Sequence, residues 1–185
     1  MALKSTVFKA ELQIADMDRG HYGTHAVTLA RHPSENDERL MVRLLAYALH
    51  ASDDEPALAF ANGMTEMDEP DLWRKNYADE IELWVDVGLP DEKWLRKASH
   101  RTREQVLYVY GRTGETWWQA NRGPIERLQG LRVMQLEPEQ TAALAAMAER
   151  SMRLSFTIQD GHIFVAGDAG SVEVTPREIK AAQVR

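Results

Sequence analysis

Two adjoining stretches hold the residue types that handle phosphate. In "EIELWVDVGLP", residues 80–90, Glu82 and Asp86 stand on either side of Trp84 at alternate positions. In "DEKWLRKASHR", residues 91–101, Lys93, Arg96, Lys97, His100 and Arg101 follow closely, with Arg103 just beyond. Carboxylates are hard oxygen ligands suited to Mg²⁺. Lysine and arginine neutralise phosphate oxygens. Acids followed by bases therefore suggest a cation-and-phosphate site. The plain alternative is a half-exposed strand followed by a solvated helix, whose basic residues suit the negative end of the helix dipole.

Spacing limits what the acids can do. Residues four apart on a strand lie about 13 Å apart along the backbone, at about 3.3 Å per residue. Glu82 and Asp86 share a face but do not easily share one ion. At most one is expected to act jointly with Glu38, which sits three and seven residues before Met41 and Leu45 on the inward face of a helix. Lys97 follows the strand closely enough to approach its acids. "LPDEK", residues 89–93, imitates a nuclease Pro-Asp and Glu-x-Lys compressed together. The motif needs its acids on neighbouring strands facing one ion, which a five-residue turn cannot supply. "EPDL", residues 69–72, is a second chance Pro-Asp, with no Glu-x-Lys strand after it. His21 and His25 fall in a turn and a strand, where a spacing of four should separate them. No histidine metal set is expected, and no His-Glu-x-x-His helix, nucleophile elbow or phosphate loop is present.

The elements that position these residues follow from periodicity. Residues 3–14 alternate and predict a strand, with a phase irregularity near Val7 and Phe8; "HAVTLARH" predicts its hairpin partner. Ser34 is the expected N-cap of a helix to His50, with acids in its first turn and a stripe of Leu40, Met41, Leu44, Leu45, Ala48 and Leu49. "ALAFANG" predicts a short strand, and residues 64–80 acidic connecting material. "IELWVDVG" predicts a strand, residues 91–103 a helix, "QVLYVYG" a buried strand and "ETWWQANRG" a short helix closed by Gly123. "LRVMQL" predicts a further strand and residues 137–152 a helix. Three strands with glycine turns follow, ending in "VEVT".

These elements resemble a known family. "LARHPSENDERLMVRLLAYA", "IELWVDVGLPDEKWLRKA", "WWQAN" and "TIQDG" are similar, in the same order and over nearly the whole chain, to the bacterial YaeQ family. The resemblance implies an α+β fold around a variant of the PD-(D/E)xK nuclease core: a single compact domain over residues 1–185, with a mixed β-sheet, flanking helices, and hairpin additions at both ends. It carries over Arg31, Ser34, Glu35 and Glu38 from the first helix segment, Glu82, Trp84 and Asp86 from the strand, and Lys97 from the basic helix. Glu38, Glu82 and Asp86 become candidate metal ligands, and Lys97, Arg31 and Glu35 candidate catalytic residues. Where the nuclease pattern expects an acid-x-Lys strand, "VLYVYG" offers Tyr108 and Tyr110, so Lys97 would replace the missing lysine from the neighbouring helix.

Composition sets outer limits. The chain has 185 residues, 44% of them hydrophobic and 28% charged, and no cysteine. It should fold, without disulfides or thiolate metal sites. No apolar run approaches the roughly 18–20 residues of a membrane span, and the N-terminus lacks a signal core, so a cytoplasmic protein is expected. A net charge of −7 argues against broad non-specific nucleic-acid binding. Two functions fit: an Mg²⁺-dependent phosphodiesterase acting on nucleic acid, or a non-catalytic binding or regulatory protein, with a nucleic-acid or protein partner, on a nuclease-like scaffold.

Overall fold

The computed structural model describes residues 4–183. The α+β class holds, but the strands form two sheets instead of one, and the internal contacts group the chain into two compact units. Met1–Ala51 with Glu139–Thr175 makes the first; Ser52–Pro138 with Pro176–Arg185 makes the second. The terminal hairpins, expected as additions to a central core, are the first unit's own sheet.

In the first unit, β1 (Thr6–Asp16) and β2 (His21–Arg31) form an antiparallel hairpin in continuous register. The expected irregularity at Val7 and Phe8 is absent: Phe8, Ala10, Leu12 and Ile14 all point inward. Leu3, expected in this strand, lies outside the described residues. Helix α1 (Asp37–His50) follows. Its N-cap is Asn36, not Ser34: the Asn36 side chain accepts the Arg39 N–H at 2.9 Å, while Ser34 binds His32. The contacts of α1 group it with the first sheet, not with a single mixed sheet that also holds Ile81–Val87.

The second unit begins with β3 (Ala59–Phe60), β4 (Leu72–Lys75) and β5 (Ile81–Val87), successively antiparallel. Strand β4 falls within what reads from sequence as connecting material. It crosses to β5 through a turn in which Asp79 adopts φ 63°, a left-handed conformation that aspartate tolerates. Then α2 (Glu92–Ser99), β6 (Thr102–Val109), α3 (Gly114–Ile125) and β7 (Leu131–Gln135) alternate. Strands β5, β6 and β7 are mutually parallel, which requires crossover connections, and α2 and α3 supply them. Asp91 caps α2 by accepting the Lys93 N–H at 2.8 Å. Helix α2 is shorter than expected because the parallel ladder with β5 claims the chain from Thr102. Helix α3 runs through Gly123 and Pro124 to Ile125 rather than stopping at the glycine. Leu95, Leu107, Val109, Trp118, Ile125, Leu131 and Val133 form the core between these elements.

Helix α4 (Pro138–Ala145) ends well before Met152, because β8 (Ser151–Gln159) pairs in parallel with β1 from Ser151 onward. Strands β9 (His162–Gly167) and β10 (Gly170–Val174) complete the first sheet, in the order β10-β9-β8-β1-β2. The chain then returns to the second unit as β11 (Arg177–Lys180), antiparallel to β7. That sheet runs β11-β7-β6-β5-β4-β3. No helix among the described residues is long and apolar enough to cross a membrane.

Candidate functional site

Strand β5 supplies both acids. Glu82 is half-exposed, with the Arg74 guanidinium 3.9 Å away. Asp86 is buried. Its Oδ2 accepts two indole N–H groups, from Trp84 at 2.8 Å and Trp94 at 3.1 Å. Trp84 shares the Asp86 face at a spacing of two, and Trp94 comes from the first turns of α2. The Trp84 ring packs against those of Trp73 and Trp94, with centroids 6.4 and 5.6 Å away. The carboxylate thus ties together a tryptophan cluster joining β4, β5 and α2.

A second buried acid stands beside it. Asp71 immediately precedes β4, whose first pair is Leu72 with Val85. Asp71 therefore lies next to the backbone of Asp86 on the neighbouring antiparallel strand. Its amide donates to the Val85 carbonyl at 3.1 Å, and its Oδ2 accepts the Val87 N–H at 2.9 Å. Asp71 and Asp86 are 4% and 5% exposed, so these are core carboxylates, not surface ones. The "EPDL" string carried Asp71 in the sequence. Its role stayed hidden because pairing between β4 and β5 is not written in local periodicity.

The bases of α2 and its surroundings are largely committed. Lys97 forms an ion pair with Asp68, and this holds the Asp68 carboxyl below the usual carboxylate range, mainly through the hydrogen bond. Arg101 donates to the Asp68 carbonyl at 2.7 Å and lies over the Trp84 ring, 5.2 Å from its centroid. Arg96 pairs with Glu92, Lys75 with Asp79 and Arg103 with Glu80. An open groove of about 480 Å³ beside His100, Arg101 and Arg103 lies at the Ile81–Thr102 end of the sheet, the opposite end of β5 from Asp86.

The other sequence candidates belong to the first unit, so the proposed ligand set divides between the two units. Glu38 accepts the Thr141 hydroxyl at 2.8 Å. Glu35 is buried, and Arg43 grips it with two N–H donors, both at 2.7 Å. Arg31 pairs with Asp37 and lies over the Phe8 ring. The separation expected for His21 and His25 is overturned: their Nε2 atoms are 2.9 Å apart.

These features define an α+β protein of two sheets, with two buried aspartates side by side at the carboxyl end of the parallel strands. The YaeQ protein family matches residues 1–176, and the chain belongs to that family. It is 42% identical over 175 residues to YaeQ of Escherichia coli K12, covering 94% of this chain and 95% of that protein. The Salmonella typhi YaeQ is 39% identical over the same length and coverage. The crystal structure of YaeQ from Xanthomonas axonopodis pv. citri matches with a TM-score of 0.90 at 50% identity, over 96% of this chain and 99% of that one. The Pseudomonas syringae YaeQ structure matches at 0.90 and 36% identity, over 96% and 97%.

Proposed function

We propose that the second unit carries a divalent-cation-dependent phosphodiesterase site for nucleic acid, built on Asp71 and Asp86 with Lys97 as its cation. The observation that supports this reading is strand register. Pro70-Asp71 leads into β4, and Asp86 lies beside it on β5. A nuclease of the PD-(D/E)xK kind needs this placement of an acid after proline and a second acid on the neighbouring strand. The donor set suits Mg²⁺, which prefers oxygen ligands and takes only one or two carboxylates from a protein. A bound ion would supply Lewis acidity and an activated water.

The chain's own contribution is positioning. The Val87 amide fixes Asp71, and two indoles fix Asp86, so both carboxylates are held in place before an ion arrives. Lys97 lies one helical turn beyond Trp94, whose indole holds Asp86. Its ammonium would meet a phosphate oxygen in exchange for Asp68. Glu38, Glu35 and Arg31 have no part in this reading, since their partners lie in the first unit.

A second reading, a non-catalytic binding protein on this scaffold, draws support from the same contacts. Asp86 acts as a structural acceptor for two tryptophans, and Lys97 is already neutralised by Asp68. Calorimetry with Mg²⁺ and Mn²⁺ separates the two, beside cleavage of plasmid DNA and structured RNA. The phosphodiesterase reading requires Asp71→Asn and Asp86→Asn to weaken ion binding, and Lys97→Ala to spare it while slowing cleavage. Absence of both ion binding and cleavage in the wild type supports the binding-protein reading.

A further inference from the structure

We propose that His21 and His25 form a bis-imidazole site in the first unit for a late first-row divalent ion such as Cu²⁺, Ni²⁺ or Zn²⁺. Both residues lie on one face of β2, with Gly23 between them. Four residues along a strand separate backbones by about 13 Å. The imidazoles close that gap by leaning toward each other, until their Nε2 atoms are 2.9 Å apart and their ring centroids 5.1 Å. Gly23 leaves the space beside both rings open. A Cβ there would make ordinary van der Waals contact with atoms of both rings, at 3.6 Å, and the branches of a larger side chain would enter the space over which they meet.

The geometry selects an ion class. With metal–nitrogen bonds of about 2.0–2.1 Å, two nitrogens at a right angle around one ion lie about 2.9 Å apart, and at a tetrahedral angle about 3.3–3.4 Å. The pair as it stands matches adjacent positions of a square-planar or octahedral ion. Zinc in tetrahedral geometry needs an opening of about 0.4 Å. Imidazole suits Cu, Ni and Zn and is a poor match for Mg²⁺ or Ca²⁺. In the present pair one Nε2 donates its proton to the other. The ion takes the place of that shared proton, and the donating ring shifts its proton to Nδ1, so both lone pairs meet at one point.

The surroundings support a fixed site. His21 is 8% exposed and sits opposite Asp16 in the β1–β2 register. His25 packs edge-on against Tyr47 of α1, centroids 5.9 Å apart. Both rings are thus held by the sheet and the helix of one unit, and a preformed pair costs little ordering on binding. The site shares no residue with Asp71, Asp86 or Lys97.

The experiment is calorimetric titration of tag-free protein with Ni²⁺ and Zn²⁺, and with Cu²⁺ followed by its visible absorption. The expected result is one ion per chain, bound through nitrogen. His21→Gln and His25→Gln should each weaken binding by more than about tenfold, since losing even an outer-shell partner costs roughly 10–100-fold. Gly23→Val should weaken it with both histidines retained, and His162→Gln, at an exposed position of the same sheet, should not. Wild-type protein that binds no ion, or binding that survives both glutamine substitutions, overturns the proposal. Should the glutamine variants fail to fold, imidazole ¹⁵N spectra of the wild type decide it. Zn²⁺ must shift the Nε2 signals of His21 and His25; shifts confined to other histidines refute the site.

Discussion

The buried carboxylates of this protein differ in what holds them, and the energetic consequences differ accordingly. Glu35 meets Arg43 through two donors in a nearly dry setting, and Arg43 also reaches the Ala30 carbonyl. Arg43→Ala leaves that carboxylate buried without its main counter-ion, which costs roughly 3–5 kcal/mol. Arg31→Ala breaks the exposed pair with Asp37 and the contact over the Phe8 ring, each worth about 1 kcal/mol or less. Urea denaturation of the two variants should separate them clearly. Asp68 presents the opposite case, a surface acid whose titration reports its partner. Lys97 lowers its folded-state pKa below the ordinary 3.8. The stabilisation is therefore present above that value and is lost as pH falls through the lower, folded one. Lys97→Ala should bring the Asp68 carboxyl signal back toward ordinary titration, as followed by ¹³C NMR. An unchanged titration curve would refute the Lys97–Asp68 pairing.

Among the elements, α1, β5 and the β8–β10 meander were legible because each carries its own strong periodicity. Strands β4 and β11 were not. "LWRK" and "REIK" are short and mostly polar, and they become strands only by pairing with β5 and β7. The site was legible to the same degree: Asp86 could be placed on a strand face, but Asp71 could not be paired with it before β4 was known. The His21–His25 meeting depends on ring length and on the lean of the two rings over Gly23, which backbone spacing does not express. The N-cap of α1 shows a smaller failure of the same kind. Ser34 and Asn36 are both good caps, and only geometry shows that Asn36 takes the Arg39 amide. Asn36→Ala should cost about 1 kcal/mol and Ser34→Ala much less, measured as shifts in denaturation midpoint. At the junction of β4, β5 and α2, Asp86→Ala strands two indole N–H groups. Each unsatisfied donor costs about 1–3 kcal/mol. A fall in melting temperature with altered tryptophan fluorescence is the expected signature.

Across the molecule, the order of pairing along the chain separates the two units. The first unit is made from both ends of the sequence, and its central ladder joins Lys9 to Ser151. The second unit's parallel ladders join neighbours in sequence: β5 meets β6 from Ile81 and Thr102. Closing a loop of roughly 140 residues instead of roughly 20 costs about 1.7 kcal/mol more in chain entropy, because that cost grows with the logarithm of length. If β5–β6–β7 forms first, however, its folding shortens the flexible part of the long loop and brings β1 and β8 within easier reach. Topologies rich in local contacts also fold faster in general. The β5, β6 and β7 amides should therefore gain hydrogen-exchange protection before those of β1 and β8 in a pulse-labelling refolding experiment. The closing strand, β11, should follow later, since Lys180 must bury its ammonium against the Leu128 and Leu131 carbonyls. Burial lowers the Lys180 pKa from its ordinary 10.5, so the unfolded chain binds more protons in the window just below that value. Stability should rise with pH through that window, and Lys180→Met should abolish this dependence. Simultaneous protection of β1, β8 and the β5–β7 strands would show instead that the long ladder nucleates together with the local ones, and that the insertion of the second unit does not order the folding of the first.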